Sequence, residues 1–261
     1  MAANEPGQPA VGRSAFSHNL AVPAVALAIG AHPDDVEFGA GATLAKWAAN
    51  GCEIFHLVCT DGSKGTWDPA HDPAELVVTR RSEQRAASMA LGGKGEVIFL
   101  GWPDGELESG LRQRFEVAAC IRKIRPDVVL GHDPWKRYRL HPDHRNAGFL
   151  VTDGIVAARD PLFFPELDAL PHRPKTVLLF EADEPDHLED VTQFVDAKLA
   201  ALLEHRSQLR STMGIAEANA VEDGEHPEVL EFKRRVIDRL AENGRKGGFA
   251  AAEAFKRIDD L

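Results

Sequence analysis

The chain has 261 residues, 44% apolar and 27% charged. That suffices to bury one core without disulfides and excludes collagen-like, coiled-coil and wholly disordered classes. A formal net charge of −11 excludes a surface built to track nucleic-acid phosphates, since that binding runs on clustered Lys and Arg.

Residues 1–20 are rich in Ala, Pro, Gly, Ser and Asn without periodicity and are expected to be a leader outside the fold. Residues 21–261 are expected to form a single domain. Its first element is the apolar run Ala24 to Ala31, which suits a strand buried on both faces of a parallel sheet. The run is too short to span a bilayer and has no basic lead, so neither a transmembrane helix nor a signal peptide is expected. A helix over Phe38 to Ala49, ended by Gly51, and a strand over Ile54 to Cys59 complete a βαβ unit. The pattern repeats as a helix at Thr79 to Leu91, a strand at Val97 to Leu100, a helix at Leu111 to Ile124 and a strand at Asp127 to Leu130. A helix to about Ala158, a strand at Thr176 to Phe180, and helices at Asp190 to Gln208 and Glu228 to Glu242 follow, with Ser211 to His226 as a polar loop or lid. This alternation predicts an α/β fold with a doubly wound, mostly parallel, Rossmann-like sheet, whose ligands bind outside the carboxyl ends of the strands. Cys52, Cys59 and Cys120 form no CxxC pair and suit a reducing, cytoplasmic setting.

Two clusters fall on that edge. His32-Pro33-Asp34-Asp35 follows the first strand, and His141-Pro142-Asp143-His144 follows the strand ending at Gly131. Three N and O ligands with one open position describe catalytic zinc better than structural zinc, and iron(II) accepts the same donors. Adjacent Asp34 and Asp35 cannot easily both face one ion, so one should bind metal and the other act on water; likewise one histidine ligates and the other donates. The plain alternative for either cluster is a His/Asp turn that only caps a helix. Two such clusters on one sheet edge argue against it.

These residues resemble the LmbE/PIG-L-like deacetylases, which act on N-acetylglucosamine conjugates in mycothiol, bacillithiol and phosphatidylinositol-glycan synthesis. The resemblance is carried by AHPDD at 31–35, the helix start at Gly39 to Leu44, TDG at 60–62, Arg80 with Glu83, Leu91-Gly92, PDVVLGHDP at 126–134, HPDH at 141–144, HRSQ at 205–208 and AEAF at 252–255. It implies zinc on His32, Asp35 and His144, Asp34 as general base, His141 as general acid and oxyanion stabiliser, and Asp143 as the carboxylate that keeps His141 protonated. It also implies that Arg80 contacts substrate, where a guanidinium fork suits hydroxyls or an anion; a surface pair with Glu83 or Glu75 is the alternative. Some relatives carry a tyrosine close before HPDH that polarises the carbonyl, whereas here Arg139 and Leu140 precede His141 and the only tyrosine is Tyr138.

Trp102 and His132, at strand ends, are candidates to line a sugar site, against packing and loop hydrogen bonding. The Gly-rich turn Thr60 to Gly65 is read as a turn, and His56 as a packing residue within its strand. The sequence therefore predicts hydrolysis of an N-acyl group, typically acetyl, on a small-molecule amino sugar, with no nucleic-acid or membrane partner and with a homo-oligomer plausible from relatives. Two other readings are an amidase of a larger thiol-sugar conjugate and a non-catalytic metal-binding module. A nucleotide-dependent oxidoreductase is disfavoured because no GxGxxG follows the first strand.

Overall fold

The computed structural model describes residues 16–94, 97–216, 218–222, 224 and 226–261. The apolar run after Pro23 forms β2 (Val25–Gly30), and Asp35–Ala49 forms α1. There follow β3 (Glu53–Thr60), α2 (Pro73–Ala90), β4 (Val97–Trp102), α3 (Leu111–Ile124), β5 (Val128–His132), α4 (Pro142–Arg159) and β6 (Thr176–Phe180). These elements are the expected alternation. Helix α2 begins six residues earlier than its apolar pattern, because Asp72 accepts from the Ala74 N–H and Pro73 opens the first turn.

With β1 (Ser17–His18), β7 (His187–Asp190) and β8 (Ala252–Asp259), the described residues form one eight-stranded sheet in the order β1-β7-β8-β6-β5-β2-β3-β4. Strand β2 pairs in parallel with β3 on one side and β5 on the other, so the chain reverses its winding between β2 and β5. The carboxyl ends of those two strands flank the crevice where such sheets bind ligands. Alternation along β2 serves both layers. Leu27 and Ile29 pack with Val117 and Ile121 of α3 and Leu150 and Val151 of α4, while Ala26 and Ala28 pack with Val36, Leu44 and Trp47 of α1. Each fully buried Leu or Ile contributes about 1.5–3 kcal/mol. A one-residue slip would exchange the two faces, so this pattern fixes the register. Helix α1 lies tight on β6 because residue 39 is glycine: a Cβ there would stand 2.6 Å from the Phe180 ring.

Past β6 the expected helix at Glu228 to Glu242 is present, but the segments on either side of it differ from expectation. The predicted helix at Asp190 to Gln208 is instead β7 (His187–Asp190), α5 (Val195–Leu203), a 3-10 turn at Arg206–Gln208 and a π turn at Leu209–Met213. After α6 (Pro227–Gly247), strand β8 (Ala252–Asp259) inserts antiparallel between β6 and β7, making the sheet mixed though mostly parallel. Most of the expected leader lies outside the described residues. Its last part does not behave as a leader: Ser17–His18 form edge strand β1, parallel to β7, and the Leu20 N–H donates to Glu189 Oε1 at 2.7 Å. Among the described residues, no helix is long and apolar enough to cross a membrane.

Candidate active site

Between β2 and α1 the chain turns through His32-Pro33-Asp34, and the turn is closed by the Asp35 carboxylate, which accepts the His32 N–H at 2.7 Å. Asp34 sits at φ +101°, a left-handed backbone that costs an L-residue about 1–2 kcal/mol. Its N–H donates to Gln84 Oε1 at 3.0 Å, Gln84 Nε2 donates to Glu37 Oε1 at 2.8 Å, and Glu37 Oε2 lies 3.3 Å from His205 Nε2. The HRSQ segment thus props the turn from beneath. Asp34 and His141 occupy the cap positions of α1 and α4, yet neither side chain caps its helix, so capping does not account for either residue.

His144, one turn into α4, meets the first cluster. His32 Nδ1 lies 3.2 Å from His144 Nε2 and 3.4 Å from Asp35 Oδ2, and Asp35 Oδ1 lies 3.3 Å from His144 Nε2. Donors about 2.0–2.1 Å from a tetrahedral ion stand roughly 3.3–3.4 Å apart, so the two imidazoles are spaced for one small divalent cation with an Asp35 oxygen beside each; His32-His141-His144, Asp35-His132-His144 and His32-Asp104-Asp143 are also grouped closely enough to hold an ion. The surrounding charge agrees. His32 Nε2 faces Asp104 Oδ1 at 3.2 Å and Asp143 Oδ2 at 3.1 Å, and His132 Nε2 lies 3.2 Å from Asp35 Oδ2. Three carboxylates therefore gather around one imidazole.

Protonation follows from these contacts. Burial opposes charge on His32, but hydrogen bonds to Asp104, Asp143 and Asp35 outweigh it and raise its pKa. Burial pushes Asp34 up to about 6, with Arg80 pulling it down and Asp35 pushing it further up. Burial also lowers His144 to about 4. His141 is lowered first by burial and then by charge on His32.

His32, Asp34, Asp35, Arg80, His141 and His144 line one cavity of about 490 Å³. Arg80 is fully inside; Nη1 donates to Gly62 O at 2.9 Å, and Nη2 donates to Pro33 O at 2.6 Å and stands 3.4 Å from Asp34 Oδ2. Its partners are the turns after β2 and β3, not Glu83 or Glu75. Asp143 points away from the cavity. Its carboxylate accepts from the Gly105 and Leu107 N–H groups and from His32, because the first turn of α4 aims it at the β4–α3 loop, so its direct histidine partner is His32 and not His141. Two candidate substrate contacts lie off the cavity wall. His132 is buried behind Asp35, and Trp102 donates from Nε1 to Glu116 at 2.8 Å with Arg112 over its ring. Tyr138 is 92% exposed and does not enter the site. Arg139 takes the inner place instead, donating to Glu181 Oε2 at 2.6 Å and standing 3.0 Å from His144 Nδ1.

Sequence reasoning missed Asp104, Glu181, Gln208 and Thr212, all on the cavity wall. Asp104 and Glu181 each follow a strand at its carboxyl end, which was the available signal. Glu181 carries φ +59°, and Arg139 and His132 hold its carboxylate ionised despite burial.

A buried carboxylate, a histidine and a His/Asp cluster that could hold a metal ion face one another in this cavity, a set suited to hydrolysis of an amide bond, and comparison with known proteins bears on that chemistry. Residues 27–155 match the family model PIG-L: GlcNAc-PI de-N-acetylase. The diacetylchitobiose deacetylase of Thermococcus kodakarensis is 36% identical over 187 residues, 70% of this chain and 69% of that protein. The 1D-myo-inositol 2-acetamido-2-deoxy-alpha-D-glucopyranoside deacetylase of Streptomyces avermitilis is 32% identical over 165 residues, 54% of this chain and 56% of that protein. The structure of N,N'-diacetylchitobiose deacetylase from Pyrococcus horikoshii superposes with a TM-score of 0.79 at 28% identity, covering 91% of this chain and 84% of that one. The protein is an N-deacetylase. It belongs to the PIG-L family.

Proposed function

We propose that the protein is a zinc-dependent deacetylase that releases acetate from an N-acetylated glucosamine residue in a small glycoside. The observation that carries this reading is the 3.2–3.4 Å spacing of the His32, Asp35 and His144 donors in the cavity that also holds Asp34 and His141. Relatives that act on diacetylchitobiose and on a GlcNAc-inositol support the sugar.

His32, Asp35 and His144 would hold the ion, which when bound supplies Lewis acidity toward the amide carbonyl and makes water nucleophilic near neutral pH. Asp34 accepts the proton of the attacking water; burial lifts its pKa to about 6, close to the working range of a general base. Arg80 keeps that carboxylate aimed through Pro33 O and Asp34 Oδ2. His141 faces the same space, stacked 4.8 Å from His144, and hands a proton to the departing nitrogen as the C–N bond breaks. Asp143 and Asp104 orient His32 through Nε2, the carboxylate support that ligating histidines ordinarily have.

Acetate release by zinc-loaded protein from N-acetylglucosamine glycosides, chitobiose and GlcNAc-inositol among them, tests this. Asp34→Asn should lower kcat by about 10²–10⁴-fold while bound metal, measured by elemental analysis, stays stoichiometric. No acetate from any of these glycosides at full metal occupancy would sink the reading.

A further inference from the structure

The chain has four tryptophans and one tyrosine. Trp47 is buried in the core and Trp102 is half-buried, whereas Trp67, Trp135 and Tyr138 stand 74%, 59% and 92% exposed. All three lie on the loops that follow β3 and β5, at the sheet edge that carries the catalytic cavity.

Trp135 has the best-defined surroundings. Its backbone N–H donates to Asp133 Oδ1 at 2.9 Å, and its ring meets Phe149 edge to face at 6.2 Å. Two residues on, the Arg137 N–H donates to Asp183 Oδ2 at 2.7 Å, tying this loop to the one after β6. The tied loops enclose a hollow of about 390 Å³ lined by Trp135, Asp133, Arg137, Asp183, Glu184 and Lys256. Asp183 also walls a second hollow of about 260 Å³, and that hollow shares Phe38 and Glu181 with the catalytic cavity. The 181–184 loop thus leads wall to wall from the reacting centre to the indole.

We propose that the Trp135 hollow is a carbohydrate subsite, seating a ring of an oligosaccharide whose N-acetylated residue under attack occupies the catalytic cavity. The inference rests on the deacetylase reading above and adds the substrate class: a chain of several sugars in preference to a single-sugar glycoside. The chemistry matches a pyranose. Its C–H face stacks on the exposed Trp135 indole, its hydroxyls donate to the carboxylates of Asp133, Asp183 and Glu184, and its oxygens accept from Arg137 and Lys256. Three acidic and two basic groups nearly cancel, which suits a neutral polyol over a polyanion such as nucleic acid.

The experiment is calorimetric binding of N-acetylglucosamine oligomers from dimer to pentamer to zinc-loaded protein, with acetate release followed in parallel. The pentamer is expected to bind about fivefold or more tightly than the dimer, the range that aromatic contacts reach. Trp135→Ala should erase that advantage while leaving dimer turnover unchanged, and Trp135→Phe should restore part of it. A pentamer no tighter than the dimer in the unaltered protein, or an advantage that survives Trp135→Ala, overturns the subsite. So does a change of oligomeric state in Trp135→Ala seen by sedimentation, which would make the indole a subunit contact. Absence of acetate from every oligomer would instead defeat the deacetylase reading, because binding is read separately from turnover.

Discussion

Helix α1 touches three buried charge clusters, two of which close in a way the third does not. Near its last turn, Lys46 donates to Glu189 Oε2 at 2.7 Å, and His187 lies 2.8 Å from the other oxygen of that carboxylate. Beside its middle, Glu253 accepts from Lys198 Nζ at 2.5 Å and from the Ala42 and Thr43 N–H groups. Each carboxylate there has a cation of its own. At the first turn the arithmetic does not close: Arg80 answers Asp34 and Arg139 answers Glu181, but Asp35, Asp104 and Asp143 converge on His32. Buried charge that is matched holds a fold together, whereas a surplus of one sign marks where the protein expects a ligand of the other.

Breaking the matched side should have the largest effect. Lys198→Met leaves Glu253 buried without its cation, and the loss should be about 3–5 kcal/mol in urea unfolding; a loss under about 1 kcal/mol would show that the α1 N–H groups suffice and that the cluster was not closed by the lysine. On the surplus side, Asp104→Asn removes one of the carboxylates on His32 Nε2. Zinc affinity, read by chelator competition, should fall about 10–100-fold, and unchanged affinity would mean that Asp143 alone positions the ring.

The smallest effect sharpens the comparison through pH. Burial pushes the Glu189 carboxyl up, but hydrogen bonds from His187 and Lys46 outweigh it, so its folded pKa lies below the ordinary 4.5. A depressed folded pKa contributes stability above the unfolded value and loses it as pH falls through the folded one. Glu189→Gln should therefore cost about 1–2 kcal/mol near neutrality, and the gap to the unaltered protein should shrink as pH drops below about 4.5. A gap independent of pH would assign the loss to packing.

The same contrast explains what was legible in the sequence. Strands β2, β3, β5 and β6 are largely buried, so each reads as a mainly apolar run; the HPDD turn follows β2 almost at once, and HPDH opens the helix after β5. The added edge hid itself for the same physical reason that makes it stable. Strand β7 is only His187–Asp190, and β8 carries Glu253, Lys256 and Arg257 among its apolar residues, so matched charges blur the alternation that announces a strand. In the site, pairs close in sequence were found as motifs. Asp104 and Glu181 were not, since each arrives alone on its own strand end and acquires meaning only when the sheet sets it beside His32 or His132. For Asp143 the resemblance implied a partnership with His141; its direct hydrogen bond goes to His32, while burial lowers the His141 pKa and the Asp143 charge still works to raise it.

The φ of +101° at Asp34 places activity and durability in competition at one turn of the chain. Glycine accepts that backbone freely, but Asp34→Gly also leaves the buried Arg80 without its carboxylate, so the relieved strain and the stranded guanidinium offset one another while turnover is lost. A laboratory lineage selected only for heat resistance would gain from that substitution once Arg80 was replaced as well, and the two changes together would yield a sturdier protein that no longer cuts amides.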